Sequence, residues 1–450
     1  MRYVTLLMIT FSLAPISLLA QDAHYWTFQY GPRSSLLGGA VIGSVEDVSA
    51  TYYNPGALSL ATNLSFAVSA NVFEISGVSL EGGGGEGVDL GSKRTGLRPS
   101  LIAGTIGRNL LGRGVLAYSA LTRTRGTQDL QGLLVESAGS LPPGSTLEEF
   151  VGIAQFTGVF SDTWLGLSYA HALGNHFGLG VTWYGAFRSQ RRRAESITQT
   201  IATDGTGLSS LDLRGGRYST IRTLGKLGAS FAGGPVTAGM TLTTPSIHIS
   251  GSGQLGFDTG VFGTDTTALA ATVQPDLPAE FKSPLSVGGG AALRLGNTRL
   301  HASGEWYQAI DPYFVMQGQD FVAQQPPDTL TVDAVQALDE VLNWAVGVEH
   351  AFSRGVSAYV SYLADNSGLT ENVQRAGLSL IPIDISTVTA GAEFGVGAIR
   401  FTLGFGYGWG SKVDRELTDL ISQADPDFEA TYVYRSMRFI FGFEVGGGNR

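Results

Sequence analysis

The sequence predicts an all-β protein: a transmembrane antiparallel β-barrel of about 14 strands with an N-terminal hatch inside the lumen. Three observations predict it. Large apolar residues alternate with glycine and small residues at period two, short and long connections follow one another regularly, and an export-type leader precedes a chain without cysteine. Composition agrees. The 450 residues include 63 glycines, about twice the usual share of roughly 7%, and only 15% charged residues against a typical value of about 25%. The glycines follow no triplet repeat and sit among Val, Leu, Phe and Tyr, which excludes a collagen-like or low-complexity chain.

Residues 1–20 read as a signal peptide. Arg2 gives the basic start, VTLLMITFSLA the apolar stretch, and LLA a small-residue cleavage site before Gln21. With no cysteine there is no disulfide framework and no lipid-modified N-terminus. After residue 20 no run of apolar residues is long enough for a membrane helix, so a membrane protein of this sequence has to cross with strands.

Residues 21–61 form a unit of their own, the hatch. They are neither highly charged nor repetitive, and Val41, Ile42, Tyr52, Tyr53 and Leu58 give them apolar material to pack. A barrel of this size has a lumen too wide for its own side chains to fill, so the segment is expected inside. It closes on DVSATYYNPGALSL at positions 47–60. Asn54 is placed to cap a short helical turn, Pro55 suits a first helical position, and Gly56 permits close approach to the wall.

The barrel is expected over 62–450, with strands beginning near 62, 99, 113, 160, 176, 216, 235, 283, 297, 341, 354, 385, 397 and 435. In HFGLGVTWYGAF, Phe177, Leu179, Val181, Trp183 and Phe187 share one face, and Gly178, Gly180, Thr182, Tyr184 and Ala186 share the other. RFTLGFGYGWG and MRFIFGFEV sort in the same way, with Phe401, Leu403, Phe405, Tyr407 and Trp409, and then Met437, Phe439, Phe441, Phe443 and Val445, on the apolar faces. Aromatics opposite glycines and isolated charges fit lipid outside and a crowded lumen inside. The short connections are NLLG, LGN, AGG, GN, SR and GVG. The long ones cover Ser76–Arg98, Thr124–Gly158, Ser189–Gly215, Gly251–Lys282, Ala309–Glu340, Asn366–Asp384 and Ser411–Tyr434, a loop asymmetry that belongs to outer-membrane barrels.

Chemistry-bearing clusters are few. His24, His171, His176, His248, His301 and His350 lack metal-ligand spacing, and no nucleophile elbow or phosphate loop is present, so neither an enzyme, a metal site nor a cofactor is expected. A net charge of −10 disfavours nucleic acid. Arg188, Arg191, Arg192 and Arg193 form the one notable charge cluster. It reads either as a rim that pairs with lipopolysaccharide phosphates or as a site meeting a ligand carboxylate. LEEFVGIAQF places Leu147, Phe150, Val151 and Ala154 at helical spacing in a long loop. With Phe156 it makes half of a hydrophobic capture groove or a loop packed on itself. Arg188, Arg191, Phe150 and Phe156 are therefore the candidate ligand-binding residues.

GPRSSLLGGAVIGSVEDVSATYYNPGALSL resembles the N-terminal hatch of long-chain fatty acid outer-membrane transporters, the FadL-like proteins, with Asp47, Tyr53, Asn54, Pro55 and Gly56 at matching places. LPAEFKSPLSVGGGAALRLGNTRLHASGEWYQAIDPY, from Leu277, resembles the middle of that family, and TVTAGAEFGVGAIRFTLGFGYGWG a late hairpin. Two features depart from the family: Gly56 stands where Ala is common, and the chain ends GGGNR instead of on an aromatic. The resemblance implies a monomeric barrel in the bacterial outer membrane, among lipid and lipopolysaccharide. It implies passive uptake of a hydrophobic small-molecule ligand, a hatch acting as gate, and release sideways through the wall. FadL-like barrels also serve as secretion shuttles or surface anchors, and that alternative stays open.

Overall fold

The period-two segments are strands, and each turns its large side chains to one face. The computed structural model describes residues 16–17, 23–61, 66–81, 89–110, 112–137, 147–263, 267–353, 355–369, 383–414 and 430–445. The leader's cleavage site, the expected strand start at 62 and the terminal GGGNR lie outside the described residues. Eighteen strands organise the structure: β1 Phe66–Glu81, β2 Leu90–Leu110, β3 Gly114–Ser137, β4 Leu147–Leu173, β5 Phe177–Ala202, β6 Gly207–Gly233, β7 Val236–Thr243, β8 Ile247–Gly263, β9 Thr267–Pro278, β10 Ser286–Leu295, β11 Thr298–Tyr307, β12 Ile310–Met316, β13 Val332–Leu338, β14 Val341–Ser353, β15 Val356–Asp365, β16 Ile385–Val396, β17 Ile399–Asp414 and β18 Ala430–Val445.

Fourteen of them, β1–β7, β10, β11 and β14–β18, close into an antiparallel ring. Pairing of Phe66 with Val445 joins the first strand to the last. Closure leaves the ring without a first or last strand, which a sheet in lipid requires. The apolar faces read from sequence point outward: Trp183 is 62% exposed, while Tyr184, its neighbour in sequence, is 0% exposed. Phe177, Leu179, Leu403, Phe405, Met437 and Phe439 are exposed on the same outer surface. This belt of bare aromatic and aliphatic side chains fits hydrocarbon and marks the ring as a membrane barrel.

One strand of the wall is broken. Below, β6 pairs with β7 from Lys226 opposite Thr243, and above it pairs with β8 from Thr223 opposite Ile247. Pro245 stands in the break, where its missing N–H costs no ladder bond. β8 and β9 form a hairpin, whose free side is met by Gln325 through two backbone hydrogen bonds with Leu269, of 2.6 and 2.9 Å.

The long connections differ from expectation. Most of Ser76–Arg98, Thr124–Gly158 and Ser189–Gly215 is strand, and β4, at 27 residues, far exceeds the roughly 9–11 needed to cross a bilayer. These hairpins stand tall beyond the membrane. LEEFVGIAQF lies in β4, so its helical spacing was coincidental: its backbone pairs with β3 on one side and β5 on the other.

Residues 23–61 lie inside the ring as two short helices, α1 Pro32–Leu36 and α2 Ala50–Tyr53, and a 3-10 turn at Pro55–Ser59. Their partners come from all round the wall. Tyr184 Oη donates to Thr51 O (2.6 Å), Ser361 Oγ to Leu36 O (2.9 Å) and Arg438 Nη1 to Thr27 O (3.0 Å), while Arg33 pairs with Glu349 at 2.5 Å. Wall glycines make the room. A Cβ on Gly391 or Gly404 would lie 2.6 or 2.3 Å from Leu36, and one on Gly442 would strike Pro32. The glycine-rich inner faces seen in the sequence are thus seats for the hatch.

Candidate functional site: a slit in the wall closed by the hatch

β2 and β3 do not pair along their full length. Gly91 is opposite Gln131, and pairing resumes at Leu101 opposite Leu121 in the same register; among the described residues no ladder pair joins 92–100 to 122–130. On their other sides both stretches stay in the sheet, 92–99 with β1 and 122–130 with β4. The wall therefore has a slit, not a frayed end. A bulge at Arg123 starts it, since pairing with β4 shifts between Thr122 and Thr124. The burial pattern records the slip. Ala117, Ser119, Leu121 and Arg123 face inward below the bulge, and Thr124 and Leu130 above it.

The hatch stops the slit from within. Tyr30 Oη lies 3.2 Å from Thr122 O and 3.3 Å from Arg123 O, as a donor shared between the two carbonyls. Arg123 Nη1 donates to Tyr25 O, and its guanidinium lies 5.6 Å from the Trp164 ring centroid and 5.9 Å from that of Tyr52. Tyr30 in turn receives a backbone anchor, donating its N–H to Tyr53 Oη (3.0 Å), and packs 4.2 Å from Tyr52. The sequence-predicted Tyr53 thus sits one bond from the slit.

Asn54, Pro55 and Gly56 lie a few strands round the wall from the slit, against β5, β6 and β7. Asn54 Oδ1 accepts from Gly56 N (3.1 Å), and its amide donates to Ile42 O (3.0 Å) and Ala229 O (2.9 Å). The turn is wedged among glycines: a Cβ on Gly228 would lie 2.3 Å from Asn54 Oδ1, and one on Gly56 would lie 2.7 Å from Gly178 O and Gly228 O. Asp47 is buried and accepts from Ser49 N at 2.7 Å. Burial pushes its carboxyl above the ordinary aspartate range. Folding therefore favours the protonated carboxyl, so the contribution of Asp47 to hatch stability is fully present at acid pH and falls as pH rises through that raised value. Glu46, lowered against the pull of burial by Arg33 and Arg299, contributes in the opposite sense. Relative to wild type, protease protection of the hatch in Asp47→Asn should improve from acid to neutral pH.

The arginine cluster divides across the wall. Arg188 and Arg192 are buried on the inner face, while Arg191 and Arg193 are exposed on the outer one. Arg191 is therefore not a lumen residue, which corrects the single-cluster expectation: alternation sends neighbours in a strand to opposite faces. Inside, Arg188 lies 3.9 Å from the Phe281 ring centroid and donates to Tyr218 Oη (3.1 Å) and Gln190 Oε1 (2.9 Å). Arg222 lies 4.9 Å from the same ring, forms an ion pair with Asp162 and donates to Ser283 Oγ at 3.1 Å. Arg222 Nη1 and Gln190 Nε2 remain buried without an acceptor, an arrangement that favours an anionic guest. Phe156 is buried against Leu130 and Phe160 on the inner face of the tall wall, and Phe160 lies 5.7 Å from the Arg188 guanidinium; Phe150 is half-buried nearer the hairpin tip.

Tyr30, Arg123, Arg222 and Phe281 went unpredicted. The slip at Arg123 was the one available signal, visible as apolar residues that change parity between Leu121 and Leu130.

The chain is thus a fourteen-stranded membrane barrel, stoppered by its own N-terminal segment and slit between two early strands. The chain matches no protein-family model and no curated protein. Solved structures share the fold. The Pseudomonas putida toluene transporter TodX aligns with a TM-score of 0.61 and 11% identity, over 94% of this chain and 99% of that one. A Pseudomonas aeruginosa FadL homologue gives 0.57 and 10% over 94% and 99%, and the Ralstonia pickettii toluene transporter TbuX 0.53 and 10% over 93% and 99%. The chain has the fold of these FadL-type channels.

Proposed function

We propose that the protein is an outer-membrane channel for passive uptake of hydrophobic small molecules. The observation that carries this reading is the slit between β2 and β3 with the hatch behind it. A ligand enters from the tall-hairpin end, moves past Phe156 and Phe160 to the arginine-aromatic cluster around Phe281, displaces the edge of the hatch at Tyr30, and leaves sideways into the bilayer. Apolar walls concentrate such a ligand at about 0.8 kcal/mol per buried methylene, and a lateral exit spares it from water. Toluene transport is what the names of two fold relatives state, which supports small hydrocarbons as one ligand class. Arg188 and Arg222 beside Phe281, with the unused donors Arg222 Nη1 and Gln190 Nε2, support a second class, hydrophobic carboxylates.

Uptake of labelled toluene and of a labelled long-chain fatty acid, by cells with and without the protein, tests the reading. Dependence of either flux on the protein is expected. Absence of both, with protein partners captured on the hairpins, would favour the secretion or anchoring role. Arg188→Ala should lower fatty-acid uptake several-fold at equal surface abundance and leave toluene uptake nearly unchanged, because it removes a charge-assisted contact of about 1.5–3 kcal/mol. An equal loss of both would make Arg188 structural.

A further inference from the structure

The outer half of the divided arginine cluster has no part in passage through the lumen. Arg191 on β5 stands directly opposite Arg217 on β6, and both are exposed on the outer face. Like charges directly opposite one another destabilise a sheet unless something lies between them. Arg217 is steadied by a neutral partner, Gln254 Oε1 at 2.9 Å. Arg125, exposed on β3, points outward one row nearer the apolar belt.

Immediately on the belt side of the arginine pair, serines line up in register across four strands: Ser161, Ser189, Ser219 and Ser252. Their short side chains leave a hollow of about 550 Å³, lined also by the outward-facing Phe187 and Ile221. From the belt outward, the surface is thus apolar, then concave and hydroxyl-lined, then cationic. That order matches a membrane lipid at the interface: acyl chain, polar backbone or sugar, phosphate.

We infer that this outer face of β4–β6 and β8 is a binding site for a phosphorylated lipid of the outer leaflet. The Arg191 and Arg217 guanidiniums hold its phosphate between them, which turns the like-charge repulsion into a paired clamp. The serine hydroxyls donate to its ester or sugar oxygens, and the first part of its acyl chain lies on Phe187 and Ile221. The site concerns anchoring and orientation in the membrane and does not depend on what the channel carries.

The test uses full-length barrel reconstituted in phosphatidylcholine vesicles, with or without added lipid A, then re-extracted in mild detergent and examined by native mass spectrometry. Wild type is expected to retain lipid A. The double variant Arg191→Glu/Arg217→Glu should retain roughly tenfold less or lower still, and the double Lys variant should recover part of the loss, since lysine restores charge without the planar fork. Ser219→Leu, which fills the hollow without touching charge, should also release the lipid. Heat-modifiable mobility confirms that each variant is a folded barrel. Equal retention by wild type and the Glu variant would overturn the inference. So would complete displacement of lipid A by inorganic phosphate, which would make the site one for free anions.

Discussion

Deletion of Arg123 should abolish uptake of a hydrophobic probe while leaving a folded, heat-modifiable barrel in the membrane. The reasoning starts from parity. Arg123 is the extra residue of the β3 bulge, and inward-facing positions change from odd to even numbers across it. Without it, alternation runs unbroken from Leu121 through Thr124, the strand straightens, and pairing can run on from Leu101 and Leu121 into the slit, with the Gly91–Gln131 end slipping by one residue. Each ladder bond so formed contributes about 1 kcal/mol net, and a run of them raises the cost of opening by several kcal/mol, a roughly hundredfold slower passage or more. Arg123→Gly is the control. It discards the Tyr25 and Trp164 contacts but keeps the residue count, and glycine suits a bulge. If the deletion and the glycine variant lose uptake alike, the side chain matters and the slit does not. If neither loses it, ligand leaves by another route.

The two halves of this mechanism were unequally legible in the sequence. Strand starts expected near 113, 176, 235, 297 and 341 fall at Gly114, Phe177, Val236, Thr298 and Val341, because there lipid on one face and hatch on the other enforce alternation. Beyond the membrane that contrast fades. In SQRRRAESITQTIA no apolar face exists, so its strand was taken for a loop, although backbone pairing to Leu208 and its neighbours continues. The division of the arginines was readable, since Tyr184 and Ala186 already set even positions inward on that strand. The Asn54 cap was legible too, as a local signal. The slit was not, because it is a property of two strands and appears only when both sets of pairs are known. Phe281, which gathers Arg188 and Arg222, lies in the connection between β9 and β10, where no periodicity marks it.

Gly228→Val should release the hatch, and Asn54→Ala should do so in part. The Asn54 turn seats in a notch of β5, β6 and β7 that exists because Gly178, Gly180, Gly228 and Gly239 have no Cβ. At Gly228 the new Cβ would fall 2.3 Å from Asn54 Oδ1 and 2.7 Å from Pro55 Cδ, and both neighbours are themselves pinned in the buried turn. The wall is the more rigid partner, with β6 bonded to β5 and β7 on either side, so the hatch has to give way. Asn54→Ala is milder. Losing the cap costs about 0.5–2 kcal/mol, and the carbonyls of Ile42 and Ala229 lose their donor as well, at roughly 1–3 kcal/mol where no replacement reaches them. Neither change touches wall pairing, so both proteins should keep the heat resistance of the barrel. In planar bilayers the valine variant should conduct ions steadily, because a lumen of this width without its stopper is an aqueous pore. The alanine variant should open in bursts, and wild type should stay closed. Limited proteolysis should cut the hatch of the valine variant first. A closed, protease-resistant Gly228→Val barrel would mean that the segment is a fixed part of the wall, and gating would have to be sought at Tyr30 alone.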